Sequence, residues 1–471
     1  MLLPPTPLPR CWLLAAGLLV LAGCAAPRAT PEGALPDTPV PARWSEAPAA
    51  TPAAGAALAP WWQQFNDPPL AALVSQALQA NTSVRGAQAA LQQARALRDV
   101  QAAGLQPRVD GSASAQRSKS GDSDAGNSFQ AGFDASWEVD VFGARRSAVS
   151  ASAADAQAAA STLANTQVSI AAEVAATYID LRGQQARLAI ARRNLDSQAE
   201  ILQLTRWRTQ AGLATSLEVE QARAASEQTR AQIPVLETGI AQALHALAVL
   251  TGQAPGALQT TLATASPVPQ PPADLALGIP AETLRQRPDV RFAEQRIAAA
   301  LARVAQADAA RYPSFQISGS LGLRALTLGS LTSGASVASA LLAGVSIPLL
   351  DGGAARAQVR VQEAALEQAR VNYQATVLTA LKDVEDALVA LRGDGERLAR
   401  LQDAAEAASN AALMAQQRYA SGLIDFQAVL ETQRTQLSTQ DSVASTTATL
   451  SADHVRLYKA LGGGWQATPA P

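Results

Sequence analysis

Residues 174–202 read VAATYIDLRGQQARLAIARRNLDSQAEIL, and an apolar residue occupies every seventh position in this stretch. These residues are Val174, Leu181, Leu188, Leu195 and Leu202. A seven-residue apolar repeat is typical of a coiled-coil seam. The proline-free run around the seam extends over residues 144–211, and one helix of that length would measure roughly 100 Å. The sequence therefore predicts a long helical rod rather than a compact globular domain.

The chain contains this unit twice. LRGQQARLA, which begins at Leu181, returns as LRGDGERLA from Leu391, and the pair Gly212-Leu213 returns as Gly422-Leu423, both after 210 residues. Upstream anchors such as Pro107 and Pro313 are separated by 206 residues. A near-constant offset over several anchors indicates a tandem duplication. We expect two similar halves instead of the roughly three domains that the chain length would suggest.

Composition excludes several classes of function. The net charge is −2 and no basic run is present, which argues against a nucleic-acid partner. The cysteines are Cys11 and Cys24 alone, too few for a disulfide framework or a cysteine metal site. The histidines His245 and His454 accompany no nucleophile elbow, phosphate-binding loop or metal-ligand cluster. We expect no enzymatic activity, no catalytic residue and no metal site.

The N-terminus has the pattern of a lipoprotein signal peptide. Arg10 precedes an apolar run over residues 12–22, which is too short to span a bilayer. The run ends in Leu21-Ala22-Gly23-Cys24, which resembles the lipobox of bacterial lipoproteins. This resemblance implies cleavage after residue 23 and acylation of Cys24, the only cofactor-like group that we expect. Ala25, in place of an aspartate, favours the outer membrane. Residues 24–60, rich in Pro and Ala, are predicted to be an extended tether.

Two segments change from helical to alternating periodicity. From Phe129 to Val141 the odd positions are apolar and the even positions are polar, glycine or acidic, as in strands with one apolar face. We predict strands at about 107–141 and about 313–350, two in each half. Such strands fit the wall of an outer-membrane β-barrel, and the alternative is a soluble pair of hairpins packed on a helix. Four strands cannot close a barrel in lipid, so several copies must share one wall.

The two predicted halves have the same layout. The first covers residues 61–252 and the second residues 281–465, with a connector at 253–280 and a tail at 466–471. In each half a long helix descends to Gly212 or Gly422, and a return helix follows at about 215–251 or 425–461. Only the first return helix contains a proline, Pro234, where we expect a kink or a break.

Six ordered motifs resemble one family, the TolC-like outer membrane factors, in the lipoprotein (NodT-type) branch that serves resistance-nodulation-division efflux systems. The motifs are Trp61-Trp62 with Phe65-Asn66-Asp67-Pro68; Trp137-Glu138-Val139-Asp140; Arg287-Pro288-Asp289-Val290-Arg291; Arg311-Tyr312-Pro313; Arg418-Tyr419 with Gly422-Leu423; and Tyr458 to Trp465.

This resemblance implies a mixed α and β membrane protein. A homotrimer would form a 12-stranded outer-membrane β-barrel continued by a 12-helix periplasmic α-barrel, each protomer an internal tandem repeat. Its partners would be outer-membrane lipid, a periplasmic adaptor and an inner-membrane resistance-nodulation-division transporter. The implied function is passive conduction of small toxic molecules or drugs from the pump–adaptor complex.

The resemblance also implies where function lies. The adaptor would dock at the hairpin tips, and a carboxylate ring would gate the periplasmic aperture. The tip residues are Gly212, Leu213, Gly422, Leu423, Arg208 and Arg418, and the gate residues are Glu431, Gln427, Ala428, Tyr419 and Glu218. Ile424 replaces the arginine with which the family locks its gate, which puts that lock in question.

Alternative functions remain open at this stage. The same conduit could be dedicated to the export of proteins or metal cations, although the lipobox favours small molecules. A coiled-coil lipoprotein that joins membrane and cell wall would need the rods and the lipid. It would not need four alternating strands.

Overall fold

Two helices of 67 residues each dominate the structure and confirm the predicted rods. The structure is a computed structural model that describes residues 35–36, 38–45, 60–122, 124–271 and 284–465. All helices and strands lie in one unit, Pro36–Pro471. The helices are α1 (Pro68–Ala80), α2 (Thr82–Ala103), α3 (Ala144–Gln210), α4 (Ser216–Leu250), α5 (Pro288–Ala309), α6 (Ala354–Ala420) and α7 (Phe426–Ala460). The strands are β1 (Arg108–Ser118), β2 (Gly126–Val139), β3 (Ser314–Ala325) and β4 (Val337–Ser346).

The duplication is visible in the element boundaries. The helices α6 and α7 begin and end 210 residues after α3 and α4, and α5 begins and ends 206 residues after α2. The two rods pack through their return helices, because α7 contacts both α6 and α3.

A carboxylate fixes the start of each rod. Asp140 accepts hydrogen bonds from the backbone N–H groups of Arg145 (3.2 Å) and Arg146 (2.9 Å) at the first turn of α3. Asp351 accepts from Gly353 and Ala355 at the first turn of α6, both at 2.8 Å. A carboxylate is favourable there because the first N–H groups of a helix lack partners and its dipole is positive at this end.

The four predicted strands form one antiparallel sheet, in the order β1-β2-β3-β4. The two halves of the chain join at β2 and β3, where Phe129 lies opposite Ala325 and Val139 opposite Phe315. The last strand is shorter than predicted, since it ends at Ser346 rather than near residue 350. Pro348 follows closely and has no N–H with which to continue the ladder.

An aromatic cluster marks the waist where helices of both halves meet. Trp61 is buried and stacks on Tyr458 of α7, with ring centroids 5.1 Å apart. On α3, Tyr178 is also buried, and its hydroxyl lies 3.0 Å from the carboxylate of Asp67, which caps α1. The Trp-Trp motif therefore serves as a packing anchor that joins the start of the first half to the end of the second.

The predicted tether is not free over its whole length. Trp44 is only 2% exposed and packs among residues of α6 and α7 that include Val384 and Leu457. The next backbone N–H, from Ser45, donates to Glu385 at 2.9 Å. Part of residues 24–60 is thus a strap across two helices. Cys24, the signal segment and the tail at 466–471 lie outside the described residues.

The first part of the connector is held against α3. Arg182 is buried and donates to the carbonyl of Thr264 at 2.7 Å, and Gln185 donates to the carbonyl of Leu262 at 2.9 Å. The connector therefore lies along the waist up to residue 271. Its residues 272–280 are outside the described part of the chain.

Helix α4 runs without interruption through Pro234, so the predicted break at this proline is wrong. Proline removes one N–H from the helix, and the packing of Leu236 and neighbouring residues against Leu188 of α3 holds the helix in place. Among the described helices, only α4 has the length and the apolar composition that would allow it to cross a membrane.

A buried carboxyl group lies between α6 and α7. Asp453 of α7 is fully buried and forms an ion pair with Arg456. Burial, together with the nearby carboxyl group of Asp394 of α6, which favours the protonated form of Asp453, raises the pKa of Asp453 from 3.8 to about 6. The physical causes are the cost of desolvating a carboxylate and the need for a proton between two carboxyl groups.

We expect Asp453→Asn to flatten the pH dependence of thermal stability. Because the pKa is higher in the folded chain, the stabilisation from the protonated carboxyl is complete below about pH 4 and lost as the pH rises through about 6. The raised pKa corresponds to a contribution to the free energy of unfolding on the order of 1–3 kcal/mol. As the pH is raised from 4.5 to 7.5, the unfolding temperature of the wild type should fall more steeply than that of Asp453→Asn. The exposed control Asp403→Asn should follow the wild type, and parallel curves for Asp453→Asn would contradict the assignment.

Candidate functional site

Both helical hairpins reverse at a glycine in the left-handed region. Gly212 has φ 74° and Gly422 has φ 75°. At each tip the glycine N–H and the following leucine N–H bond to the last carbonyls of the descending rod, at 2.8–3.0 Å. This is the usual glycine end of a helix. Leu213 and Leu423 come next and are 69% and 74% exposed, so each tip presents a leucine to its surroundings.

The two tips lie side by side. Residues from all four helices form one apolar cluster beside the reversals, which we call the tip cluster. Its buried members are Ile201, Ala222, Ala225, Ala415, Tyr419, Phe426, Val429 and Leu430. Ile424, which occupies the position of the family's lock arginine, packs against this cluster. Ile424 therefore adds to the apolar contact between the two tips.

Arg208 joins one hairpin to the other. This half-buried residue of α3 donates to the carbonyl of Tyr419, at the end of α6, at 2.5 Å. Its guanidinium also lies over the ring of Tyr419, 4.6 Å from the centroid. A cation beside the last carbonyls of a helix is favoured by the dipole, and contact with an aromatic face adds to it. The sequence predicted Arg208 only as a docking residue and did not reveal this contact.

The repeat-equivalent arginine has no such contact. Arg418 is exposed, and within the described residues no hydrogen bond or ion pair engages its side chain. The two tip arginines thus occupy equivalent positions in sequence but different environments in one chain.

The structure separates Tyr419 from Glu218. Tyr419 is buried in the tip cluster, with its hydroxyl 3.5 Å from Thr205 Oγ1. Glu218 instead accepts the N–H of Thr215 at 3.0 Å, while its own N–H donates to the hydroxyl of Thr215 at 3.4 Å. This reciprocal pair caps the start of α4. Within the described chain, no hydrogen bond connects Glu218 with Tyr419.

The predicted aperture residues follow the second tip on α7. Gln427 and Glu431 are exposed and one helical turn apart, on the face opposite the buried Val429. Ala428 is half-buried, and its N–H donates to the capping carboxylate of Asp425 at 3.0 Å. Because Glu431 faces away from its own protomer, only other copies can bring several such carboxylates together.

Trp207 is a surface feature that the sequence reading missed. It is 59% exposed near the first tip, close in sequence to Leu213 and to the exposed Leu217. Comparison of the repeats would have revealed it, since Gln417 and Gln427 stand at the positions equivalent to Trp207 and Leu217. The first tip therefore exposes two large apolar side chains that the second tip lacks at the equivalent positions. Across the described residues, no group of three His, Cys, Asp or Glu side chains is placed to hold a metal ion.

A model of the outer membrane efflux protein family matches residues 73–253 and 279–463 of the chain. The chain belongs to this family. The two matched segments correspond to the two halves of the duplication, and the family consists of channel proteins. This member is an outer-membrane component of an efflux system.

Relatives of known structure or name agree with this membership. The pyoverdine export outer membrane protein OpmQ of Pseudomonas aeruginosa is 33% identical over 426 residues, 86% of this chain and 87% of the relative. Nodulation protein T of Rhizobium leguminosarum bv. viciae is 31% identical over 438 residues, 93% of this chain and 90% of the relative. The structure of the outer-membrane channel OprN superposes with a TM-score of 0.85 at 36% identity, over 92% of this chain and 99% of that one.

We expect Arg208→Ala to loosen the contact between the two hairpin tips. The variant loses a charge-assisted hydrogen bond and a cation–π contact, together on the order of 2 kcal/mol. Hydrogen exchange of residues 415–430 should accelerate by about 10- to 30-fold, since tenfold corresponds to about 1.4 kcal/mol. The matched control is Arg206→Ala, an exposed arginine on the same turn. Equal exchange in the two variants would show that Arg208 does not hold the tips together.

Proposed function

We propose that three copies of this chain form one channel that passively conducts small molecules through the outer membrane. In this proposal the molecules come from an inner-membrane resistance-nodulation-division transporter through a periplasmic adaptor. The observation that carries the proposal is the open sheet. Among the described residues of one chain, β1 and β4 each pair on one side only, and an unpaired strand edge is too costly to leave in lipid.

The sheet is suited to closure by further copies. It has an even number of strands and is antiparallel throughout, so β4 of one copy can pair with β1 of the next in the same alternating sense. Three copies supply twelve strands, an even number within the range of bacterial outer-membrane barrels. Large apolar side chains on the strands support contact with lipid, since Phe133 and Leu341 are 63% and 83% exposed.

The length of the strap supports a lipid anchor on Cys24. Trp44 is docked near Val384, about 30 residues into α6, which places it roughly 45 Å from the strand end of that helix. About 20 residues separate Cys24 from Trp44, and an extended chain of that length spans up to roughly 70 Å. An acylated Cys24 can therefore reach the membrane surface beside the barrel.

The cargo is proposed to be small molecules rather than proteins or metal cations. OpmQ, a relative that covers most of this chain, is named for export of pyoverdine. The candidate constriction on α7 contains only Glu431, Gln427 and Ala428, which offer charge and hydrogen bonds but no soft metal ligand.

Assembly and conduction can be tested together. The acylated protein, purified in detergent, should have the native mass of a trimer and should conduct ions in planar bilayers. Deletion of the gene should increase sensitivity to antibiotics, dyes, detergents or solvents more than to metal salts. A monomer without conductance would overturn the proposal. Sensitivity confined to metals, or loss of a secreted protein, would point to the alternative cargo.

We expect Glu431→Gln to reduce the preference of the channel for cations. On a threefold axis three carboxylates concentrate cations and bind multivalent ones, so the variant should shift the reversal potential toward zero and weaken block by multivalent cations. The control is Glu406→Gln, an exposed carboxylate of α6 far from the tip in sequence. Unchanged reversal potential and block in Glu431→Gln would end the gate assignment.

A further inference from the structure

In the closed barrel proposed above, on which this inference rests, one face of the sheet meets lipid and the other lines the lumen. Successive residues of a strand point to opposite faces, and in β2 the odd positions include Phe129 and Phe133 whereas the even positions include Asp134. Neighbouring strands keep this division, because Ala115 of β1 lies opposite Phe129 and Leu321 of β3 lies opposite Phe133. The odd positions of β1, β2 and β3 therefore form the lipid-facing side.

The lipid-facing side of β2 also sets the level of the membrane. At the end next to the rods, Trp137 donates its indole N–H to the carbonyl of Leu105 at 3.0 Å, and tryptophan is enriched at the membrane interface. From Trp137 the odd positions stay apolar until Asn127, ten residues away. Ten residues of a strand tilted by about 40° rise by about 25 Å, which is the height of the apolar band of an outer-membrane barrel. Asn127 lies at the end away from the rods, so it marks the headgroup level of the outer leaflet.

Two basic residues occupy the lipid-facing side at this level. Arg117 lies directly opposite Asn127, and Lys119 follows at the next odd position, one residue beyond the end of β1. Both residues are exposed, and neither forms a hydrogen bond or an ion pair within the described part of the chain. The carboxylates that follow in the turn, Asp122 and Asp124, form no ion pair with them in this part of the chain. Two cations without a partner therefore lie at the level of the lipid headgroups.

The second hairpin has apolar residues in all three places. Those that correspond to Arg117, Lys119 and Asn127, after the offsets of the duplication, are Leu323, Ala325 and Val337. The pairing is equivalent, because Leu323 lies opposite Val337, so the fold accepts apolar side chains at this level. A basic residue on the lipid face is tolerated only near the interface. The first hairpin therefore differs from the second in a way that suits contact with charged headgroups.

Phosphate is the anion that suits this pair of basic residues. The planar guanidinium of Arg117 can donate two parallel hydrogen bonds to phosphate oxygens, and the ammonium of Lys119 adds a point charge. Their α-carbons, two positions apart on an extended chain, are separated by about 7 Å. Both side chains can extend outward while their aliphatic stems stay in the apolar band. The amide of Asn127 adds a further hydrogen-bond donor.

We propose that Arg117, Lys119 and Asn127 form a binding site for a phosphate group of a lipid headgroup in the outer leaflet. The ligand is the phosphorylated glycolipid of which the outer leaflet is built. Each copy holds one such lipid, so the trimer holds three. The second hairpin of each copy, which is apolar at the equivalent positions, contacts acyl chains instead.

Binding of lipid A to the purified trimer tests the site. The probe is diphosphoryl lipid A added in detergent, and its enzymatically dephosphorylated form is the control ligand. Native mass spectrometry counts the lipids that each trimer retains, and a titration gives the Kd. For the wild type we expect three bound lipids per trimer, and a Kd about tenfold higher for the dephosphorylated form.

Two variants separate this site from the effect of charge in general. Arg117→Ala with Lys119→Ala should raise the Kd for diphosphoryl lipid A by about 30-fold, since two charge-assisted contacts are lost. The matched control is Arg324→Ala, an exposed arginine near the same end of β3. Arg324 lies opposite Gln130, on the side that lines the lumen, so its Kd should stay within about twofold of the wild type. Both variants should keep the mass and the conductance of the trimer.

Four results would overturn the proposal. Equal affinity of the wild type for the two forms of lipid A would do so without any variant. An unchanged Kd in the double variant and an equal loss in Arg324→Ala are the second and third. The fourth is binding of inorganic phosphate as tight as that of lipid A, which would identify free phosphate as the ligand.

A further variant keeps the test open if the double variant does not assemble. Lys119 lies outside the strand pairing, so Lys119→Ala should leave the sheet intact and still raise the Kd by about fivefold. An unchanged Kd in this variant would count against the site. A wild type that is monomeric or does not conduct would instead show a failure of the proposed channel.

Discussion

The constraint on which the structure depends is the need to pair every backbone N–H and C=O group inside a membrane. One chain provides four antiparallel strands in a row, with β1 and β4 at the two edges. The hydrocarbon core of a membrane offers no hydrogen-bond partner to the N–H and C=O groups of an unpaired strand edge. The sheet is therefore complete only when copies supply strands to each other. The long rods follow from the same arrangement, because each descends from the end of a strand hairpin and has to remain in register with its neighbours.

The duplication explains why the rods match so closely. The helices of the two halves correspond at a constant 210 residues, whereas α2 and α5 are separated by 206. The difference arises in the strand hairpins, where residues 119–125 connect β1 to β2 and the longer stretch 326–336 connects β3 to β4. A surface loop accepts inserted residues at small cost, whereas an insertion in a rod would rotate its packed face away from the neighbouring helices.

Local periodicity made most of the fold predictable from the sequence. The heptad from Val174 to Leu202 predicted α3, and the alternation from Phe129 predicted β2, because each pattern arises from one apolar face of one element. Predictions that depend on contacts distant in sequence were less successful. Arg208 contacts Tyr419, 211 positions away, and no local pattern reveals this. Trp44 lies in a Pro- and Ala-rich stretch whose composition indicated a tether, although one aromatic side chain is enough to dock it. Pro234 was expected to disturb α4, and tertiary packing against α3 outweighs the local preference.

The strap at Trp44 has a consequence for how copies find one another. In the lipid-anchored form proposed above, with the strap fastened between α6 and α7, the chain would diffuse in two dimensions with its rods on the periplasmic side. Encounters among three anchored copies are far more frequent than among three copies free in the periplasm, for the same reason that a linker raises effective concentration. An open sheet edge is prone to pair with any exposed strand. Anchoring would shorten the time that β1 and β4 spend without a correct neighbour.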